Sequence, residues 1–340
     1  MFTDGLANEG ISDKKQLKDA LAKRLERTTG ASIYTFGFGS DLDAEMLRNI
    51  AEVAGGTYYF IEKVDGIPSA FGDCLGGLQS VVAQNIRLSV SAEAGVKITK
   101  VHNGKYALTG TVPAAAGEVV QLALGDMFDG ENKDILVEVE IPALAEPKPD
   151  KHSIVKVDIK YFDVNEASDQ YATVYVLIAR PADVPDERPI NELVEMQIGR
   201  IKAAEAIQQS RDLAEAGNYA RAQAVLEETR QDMLHYSSAS TPTVQGMVNE
   251  LHSISHNVSS SDNVRLNHPS PFNYPFFFLK KKLALKIQYR RTGKSQVTSR
   301  EMAYHQQRSN VTDDSEDIFE TRTKKATKSA FAFLKKGGNN

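Results

Sequence analysis

The segment TFGFGSDLDAEMLRNIAEVAGGTYYF at 35–60 constrains the fold more than any other part of this chain. It runs from an apolar strand through a Gly-rich turn and an acidic helix start into an amphipathic helix, and then into a second apolar strand. The first strand is almost continuously apolar, as expected for a parallel strand that is covered on both faces. The segment therefore predicts a strand–helix–strand unit of an α/β sheet.

The first ten residues, MFTDGLANEG, have the pattern of a buried parallel strand that ends in a carboxylate. Asp4 follows Phe2 and Thr3 and precedes Gly5. In an open α/β sheet, ligands bind outside the carboxyl ends of the strands, and a carboxylate oxygen is a donor of the kind that Mg²⁺ takes. We therefore predict that Asp4 points into the crevice above the sheet, where Thr3 and Asn8 would add weaker contacts.

Two further acidic residues, Asp41 and Asp43, follow the strand at the start of the predicted helix 43–54. One interpretation makes them additional carboxylates near a metal ion. The other makes them N-caps and partners of the helix dipole, since helix starts collect Asp for those reasons alone. We favour capping.

Together these residues resemble the second half of a von Willebrand factor type A domain. In that family an Asp-x-Ser-x-Ser motif ends the first strand, a Thr lies in a later loop, and an Asp in a Thr-Asp-Gly turn ends the fourth strand. All three hold one Mg²⁺, and a carboxylate of the partner protein completes its coordination. Asp4 in Phe2-Thr3-Asp4-Gly5 matches the last of these ligands, and Asp-x-Ser-x-Ser is absent from the 340 residues.

The resemblance implies that Asp4 is one ligand of an incomplete metal-ion-dependent adhesion site (MIDAS) whose other ligands are absent. It implies a chain truncated on its N-terminal side, so that Mg²⁺ belongs to a full-length form and no cofactor is expected for this chain. The implied fold is multidomain α/β plus β. It comprises the C-terminal half of a doubly wound, Rossmann-like von Willebrand domain, then an antiparallel β-sandwich and a helical hairpin.

The predicted domain boundaries follow changes in the hydrophobic period. Residues 1–84 form the partial von Willebrand domain, with a last helix over 64–84, and residues 85–181 read as seven strands of period two. This β-rich region resembles the extension that follows the A-type domain in intracellular multidomain relatives. Residues 186–256 predict a helical hairpin packed on the sandwich.

The remaining residues, 257–340, predict a low-order tail. Within it, Phe and Lys runs at 269–288 fit neither a core element nor a solvated segment. A membrane-surface segment is one interpretation. We favour a retained intron, because such runs are what T-rich and A-rich codons encode.

Composition limits the compartment and the partners. A net charge of −5 gives no reason to expect nucleic-acid binding, and no apolar run approaches the roughly 18–20 residues of a membrane helix. The single cysteine, Cys74, excludes an internal disulfide framework and a thiolate zinc site, which favours a reducing compartment such as the cytoplasm. Its spacing from Phe71 and Leu78 predicts a buried structural thiol.

The other motifs give little evidence of a catalytic or ligand-binding site. Gly293-Lys294-Ser295 lacks the upstream Gly and strand of a phosphate loop, and chance explains it. His252 and His256 stand four apart and could share a metal ion, but without a third ligand nearby we favour a solvated polar surface. No nucleophile-elbow sequence is present, so we predict no catalytic residue.

The leading hypothesis is a non-enzymatic, intracellular protein-interaction module that binds ligands through metal only if the missing half is present. Its partners are proteins, not nucleic acid or membrane. The alternative is the substrate-binding region of a ubiquitin ligase whose RING-type domain is not in this chain. A weaker third hypothesis is a fragment of a cell-surface adhesion protein.

Overall fold

A computed structural model describes residues 1–3, 10–25, 32–39, 42–93, 95–102, 104, 106–183, 190–259, 289, 293–310 and 317–337. The chain divides into two compact units. Unit 1 comprises Met1–Gly76 and Ile198–Asn340, and unit 2 comprises Gly77–Gln197.

The centre of unit 1 is a parallel sheet of three strands in the order β1-β2-β3. Its strands are β1 (Phe2–Thr3), β2 (Thr35–Phe38) and β3 (Tyr58–Ile61), and its first helices are α1 (Lys14–Leu25), α2 (Ala44–Val53) and α3 (Ile67–Gln79). The predicted strand–helix–strand unit is confirmed as β2-α2-β3. The helix predicted over 64–84 is shorter, because Val81 and Val82 already belong to the next strand, where β-branched residues are favoured.

Helix α2 packs its apolar face on the sheet. Leu47 and Ala51 are fully buried together with Tyr58 of β3. Helix α2 ends at Val53, and the chain turns away from it at Gly55, which adopts a φ of +65°, a conformation that glycine reaches without steric cost. The next residue, Gly56, lies against the backbone of Ile33, so that any side chain there would meet the Ile33 carbonyl oxygen.

The Gly56→Ala substitution is therefore expected to reduce the free energy of unfolding by about 2–3 kcal/mol, because a backbone carbonyl cannot rotate away from the added methyl group. Urea denaturation followed by circular dichroism would measure the loss. Gly199→Ala is the matched control. Its methyl group would meet only side-chain atoms, the nearest on Tyr236 at 3.0 Å, and alanine gains about 1 kcal/mol of helix propensity there. Equal losses for the two variants would contradict the expectation.

Three further helices, α4 (Glu192–Glu215), α5 (Tyr219–Leu234) and α6 (Pro242–Ser259), follow in chain order. The predicted helical hairpin is present as α4 and α5, joined by a turn at Gly217 with a φ of +83°. From Ile198 onward its residues belong to unit 1, where Arg200 Nη1 donates to the carbonyl oxygen of Tyr304 at 3.0 Å. The packing of this hairpin on the β-rich region stays a prediction.

The tail predicted to be of low order contains two helices in its described parts, α7 (Lys294–Gln306) and α8 (Arg322–Gly337). Val297, Met302 and Tyr304 of α7 are fully buried, so the prediction of low order does not hold for α7. Helix α7 has no apolar stripe that would predict it from the sequence. It is buried because its polar side chains form hydrogen bonds and ion pairs with distant residues of unit 1. The segment 269–288, interpreted as intron-derived, lies outside the described residues.

Side chains from α7 and the residues after it satisfy the backbone at the outer edge of β3. The Tyr58 N–H donates to Met302 Sδ at 3.3 Å, and Asn310 Nδ2 donates to the Tyr58 carbonyl at 3.2 Å. Gln306 Nε2 donates to the carbonyl of Gly56 at 2.9 Å. An exposed strand edge presents unpaired backbone groups that can pair with other chains. Here the side chains of Met302, Gln306 and Asn310 hydrogen-bond to backbone groups of Gly56 and Tyr58 at this edge.

Unit 2 contains antiparallel strands with one shared apolar core. A five-stranded sheet has the order β10-β9-β4-β7-β6, and β5 pairs with β8. The strands are β4 (Val81–Ala92), β5 (Lys97–His102), β6 (Ala107–Thr109), β7 (Val119–Phe128), β8 (Leu136–Glu140), β9 (Lys148–Asp163) and β10 (Ser168–Arg180). The seven predicted strands each coincide with one of these. The sandwich arrangement and the 1–84, 85–181, 186–256 and 257–340 boundaries stay predictions.

Candidate functional site

The carboxyl end of the unit 1 sheet is where the sequence placed a metal site. Thr3 is the last residue of β1 and is half-buried. Asp4, Asn8 and Asp41 lie outside the described residues, so the assignment of Asp4 as a metal ligand stays a prediction.

Asp43 is the N-cap of α2, as the capping interpretation predicted. Its Oδ1 accepts from the Met46 backbone N–H at 3.1 Å and lies 3.2 Å from Lys14 Nζ. Lys14 also donates to Glu45 at 2.6 Å, and this hydrogen bond is the main cause of the lowered pKa of Glu45. The Asp43 carboxylate therefore satisfies the first turn of a helix and a cation from α1.

Cys74 lies on the buried side of α3 and is 6% exposed. Burial raises the pKa of its thiol to about 11. The thiol is consequently protonated at neutral pH, and a thiol is a poor nucleophile compared with a thiolate. The prediction of a buried structural cysteine is confirmed.

The Gly293-Lys294-Ser295 sequence lies at the start of α7. Lys294 Nζ is 2.9 Å from Glu215 Oε1 of α4, and Ser295 is buried. Both side chains take part in packing α7 within unit 1.

The histidines do not gather around a third ligand. Within the described ranges, no group of three or more His, Cys, Asp or Glu side chains has metal-binding geometry. His102 Nε2 lies 2.6 Å from Glu138 Oε1. The structure does bring His252 and His256 together on α6, with their Nε2 atoms 3.1 Å apart.

Among the described strands of unit 2, β10 carries the longest run of exposed apolar and aromatic side chains. Among the described strands, β10 pairs only with β9 and forms the end of the five-stranded sheet. Its central side chains are exposed on both faces. They are Tyr171 at 68%, Val174 at 52%, Tyr175 at 51%, Val176 at 44% and Leu177 at 51%.

The two faces of β10 differ in chemistry. Val174 and Val176 lie opposite Val157 and Val155 of β9, on the face that carries the apolar core. This face of β10 is therefore an exposed continuation of the core surface.

The other face of β10 is aromatic with a charged border. Tyr171 and Tyr175 lie opposite Lys160 and Lys156 of β9. Lys160 Nζ is 5.1 Å from the centre of the Tyr171 ring, a cation–π distance. An apolar and aromatic centre beside a charged border is the composition of protein interfaces.

The period of two predicted seven strands within 85–181, but nothing in it indicated which of them ends a sheet. Strand position depends on which segments pair, and pairing is a tertiary property. The exposure of both faces was therefore the feature that sequence reasoning missed.

The parallel α/β sheet of unit 1, with helices after β1, β2 and β3, has the fold of a von Willebrand factor type A domain. The chain is similar to the solved von Willebrand factor type A protein from Catenulispora acidiphila, at 17% identity and a TM-score of 0.51. The similarity covers 77% of this chain and 58% of that one. These values establish the fold, and they confirm the resemblance on which the sequence analysis relied. No protein-family model matches the chain.

Two curated proteins of Arabidopsis thaliana are similar in sequence. The E3 ubiquitin-protein ligase WAV3 is 36% identical over 81 residues, which is 22% of this chain and 10% of that protein. The probable E3 ubiquitin-protein ligase WAVH2 is 27% identical over 187 residues, which is 54% of this chain and 24% of that protein. The chain thus matches a quarter or less of the length of each relative.

Among the described residues, no helix combines the length and the apolar character that crossing a bilayer requires.

Proposed function

We propose that this chain is a non-enzymatic protein-interaction module of the cytoplasm, and that β10 is the strand on which its partner docks. The observation that carries the proposal is the exposure of apolar and aromatic side chains on both faces of β10 at the end of a sheet. The partner is a polypeptide that contributes an extended segment.

Strand addition explains why such an edge would bind. An extended peptide that pairs with an edge strand gains main-chain hydrogen bonds, and its alternate side chains reach the two faces. Natural edges are usually protected by charged residues or proline. Between Tyr171 and Ile178, β10 contains neither, and its charged residues, Asp169 and Arg180, lie near its ends.

The faces of β10 set the chemistry of the segment that it would accept. The Val174 and Val176 face favours β-branched or aliphatic side chains, which would extend the apolar core across the new strand. The tyrosine face favours aromatic side chains, since Lys156 and Lys160 at its border are already paired with Asp158 and Asp169. The proposed ligand is thus a segment in which aliphatic and aromatic side chains alternate.

Binding of displayed peptides tests the proposal. Extended peptides selected on the 340-residue protein are expected to lose at least about tenfold in affinity when Val174 and Val176 are both replaced by Lys. Two buried charges would oppose the added strand, and about 1.4 kcal/mol corresponds to tenfold. Fluorescence anisotropy of the selected peptides measures the change.

The matched control is Val119→Lys. Val119 is a half-exposed valine of β7 in the same unit, and its replacement adds the same charged side chain away from β10. Peptides that bind the β10 variant and the control equally well would overturn the proposal, as would a selection that enriches no peptide.

Metal dependence belongs to a longer form in this proposal. A chain that also contains an Asp-x-Ser-x-Ser motif would hold Mg²⁺ through Asp4 and other oxygen ligands, because Mg²⁺ needs several well-placed oxygens. Asp4→Ala would then abolish magnesium-dependent partner binding by the longer form while leaving binding at β10 unchanged.

A second candidate is the substrate-binding region of a ubiquitin ligase. The names of the two Arabidopsis relatives favour it. Sequencing the complete transcript would decide between the two candidates. A Cys/His cluster of the RING type would support the ubiquitin ligase, and a transcript without one would favour the interaction module.

A further inference from the structure

Two histidines on α6 are arranged as a pair of ligands. His252 and His256 are separated by four residues, so they lie one above the other on the same side of the helix. Their Nε2 atoms are 3.1 Å apart, and their ring centres are 4.4 Å apart with the planes at 89°. Both side chains are exposed.

The separation of the two nitrogens suits a shared metal ion. Zinc–imidazole bonds are about 2.0–2.1 Å long in a tetrahedral site, which places two ligand nitrogens about 3.3 Å from each other. The observed separation of 3.1 Å is close to that value. Both imidazoles can therefore direct Nε2 lone pairs at one ion, with their protons on Nδ1.

The helix that carries the pair is held in place by its packing. Leu251 and Ile254 of α6 are buried, and Gln223 Nε2 of α5 donates to the Ser255 carbonyl at 3.4 Å. The backbone between the two histidines is therefore fixed within unit 1.

We propose that His252 and His256 form a two-histidine site for a divalent first-row transition metal ion. Imidazole nitrogen suits Cu²⁺, Ni²⁺ and Zn²⁺, and affinity in such sites generally rises toward Cu²⁺. Two protein ligands leave the other coordination positions to water or to donors of a second molecule. The site uses no residue of β10 or of the carboxyl end of the unit 1 sheet, so it adds to the proposed function and does not rest on it.

The alternative is a pair of surface histidines that are joined by a hydrogen bond and bind no metal ion. In that case one ring donates an N–H to the other and neither has a preference for a metal ion. The two cases differ in what single substitutions do. A chelating pair loses affinity when either ring is removed, whereas a hydrogen-bonded surface pair has no such affinity to lose.

The test is isothermal titration of the untagged 340-residue protein with Cu²⁺, Ni²⁺ and Zn²⁺ at about pH 7.5, above the ordinary imidazole pKa of about 6.5. We expect one equivalent of each ion to bind, with Cu²⁺ tightest. His252→Ala and His256→Ala are each expected to lose at least about tenfold, since even the groups that orient a ligand change metal affinity roughly 10–100-fold.

His235→Ala is the matched control. His235 is an exposed histidine at the end of α5 whose Nδ1 lies 2.8 Å from the Gln231 carbonyl oxygen, and its loss removes the same number of imidazoles. Electron paramagnetic resonance of the Cu²⁺ complex should show two coordinated nitrogens in the wild type and one in either α6 variant.

Circular dichroism of each variant separates loss of a ligand from loss of the fold. Binding that is unchanged in both α6 variants, or that falls equally in the His235 variant, would overturn the proposal. So would a wild-type protein that binds none of the three ions.

Discussion

Glu301→Gln is expected to lower the free energy of unfolding by about 3–5 kcal/mol, the range found when one partner of a buried ion pair is removed. Glu301 lies on α7 with a fully buried side chain. Its two carboxylate oxygens accept from Arg48 Nη1 of α2 at 3.1 and 3.2 Å, and Oε2 also accepts from Arg211 Nη1 of α4.

The cost comes from the two guanidinium groups that would remain. Arg48 and Arg211 are 8% and 12% exposed in their side chains. Burial opposes the charge of Arg211, but the Glu301 carboxylate beside it helps to raise the arginine pKa above its ordinary value. A neutral amide at 301 would leave both cations buried with less negative charge beside them. The contacts of α7 with α2 and with α4 would therefore both weaken.

Urea denaturation followed by far-UV circular dichroism measures the loss, with Glu228→Gln as the control. Glu228 pairs with Arg221 at 2.8 Å, and both side chains are more than half exposed. Exposed pairs contribute about 0–1 kcal/mol, so the control should change the unfolding midpoint only slightly. A shift for Glu301→Gln no larger than that of the control would refute the expectation.

Lys324→Met should have an effect of similar size, about 3–5 kcal/mol. Lys324 Nζ lies 2.8 Å from Asp73 Oδ2 and donates to the Ser309 carbonyl at 2.9 Å. Both charged side chains are fully buried, and the Tyr59 hydroxyl donates to the same Asp73 oxygen at 2.7 Å. Methionine would leave the Asp73 carboxylate in the interior without its cation.

A double variant tests this explanation. When Asp73→Asn accompanies Lys324→Met, the buried negative charge disappears, while the amide oxygen still accepts from Tyr59. The double variant should therefore be more stable than Lys324→Met alone. Thermal melts of the wild type, the two single variants and the double variant would measure this, and losses that simply add would mean that the two side chains do not interact energetically.

Both ion pairs attach the C-terminal helices to the rest of unit 1. Glu301 joins α7 to α2 and α4, and Lys324 joins α8 to α3. Since α7 also supplies the side chains that satisfy the edge of β3, we expect either variant to make β3 more accessible to proteolysis and hydrogen exchange.

Much of the local structure could be predicted because its causes are local. Asp43 caps α2 by accepting a hydrogen bond from the Met46 backbone N–H, three residues onward. The seven strands of unit 2 follow from apolar residues at every second position. The burial of Cys74 follows from its place in the apolar spacing of α3.

The partners of the charged residues could not be predicted in this way. Arg48 and Glu301 are separated by 253 positions, and Asp73 and Lys324 by 251. Nothing in the residues around Glu301 distinguishes it from a solvated charge on a polar helix, which is why the C-terminal region read as a low-order tail.

The sequence by itself determined the β2-α2-β3 unit, the strands of unit 2, the cap of α2 and the family resemblance, because each depends on residues within a few turns of helix or one strand. Tertiary structure alone decided that β10 ends its sheet with both faces exposed, that α7 covers the edge of β3, and that Glu301 and Lys324 are buried with partners. These properties depend on which distant segments pack together. The free energy of a charged group or an apolar face depends on whether that packing buries it.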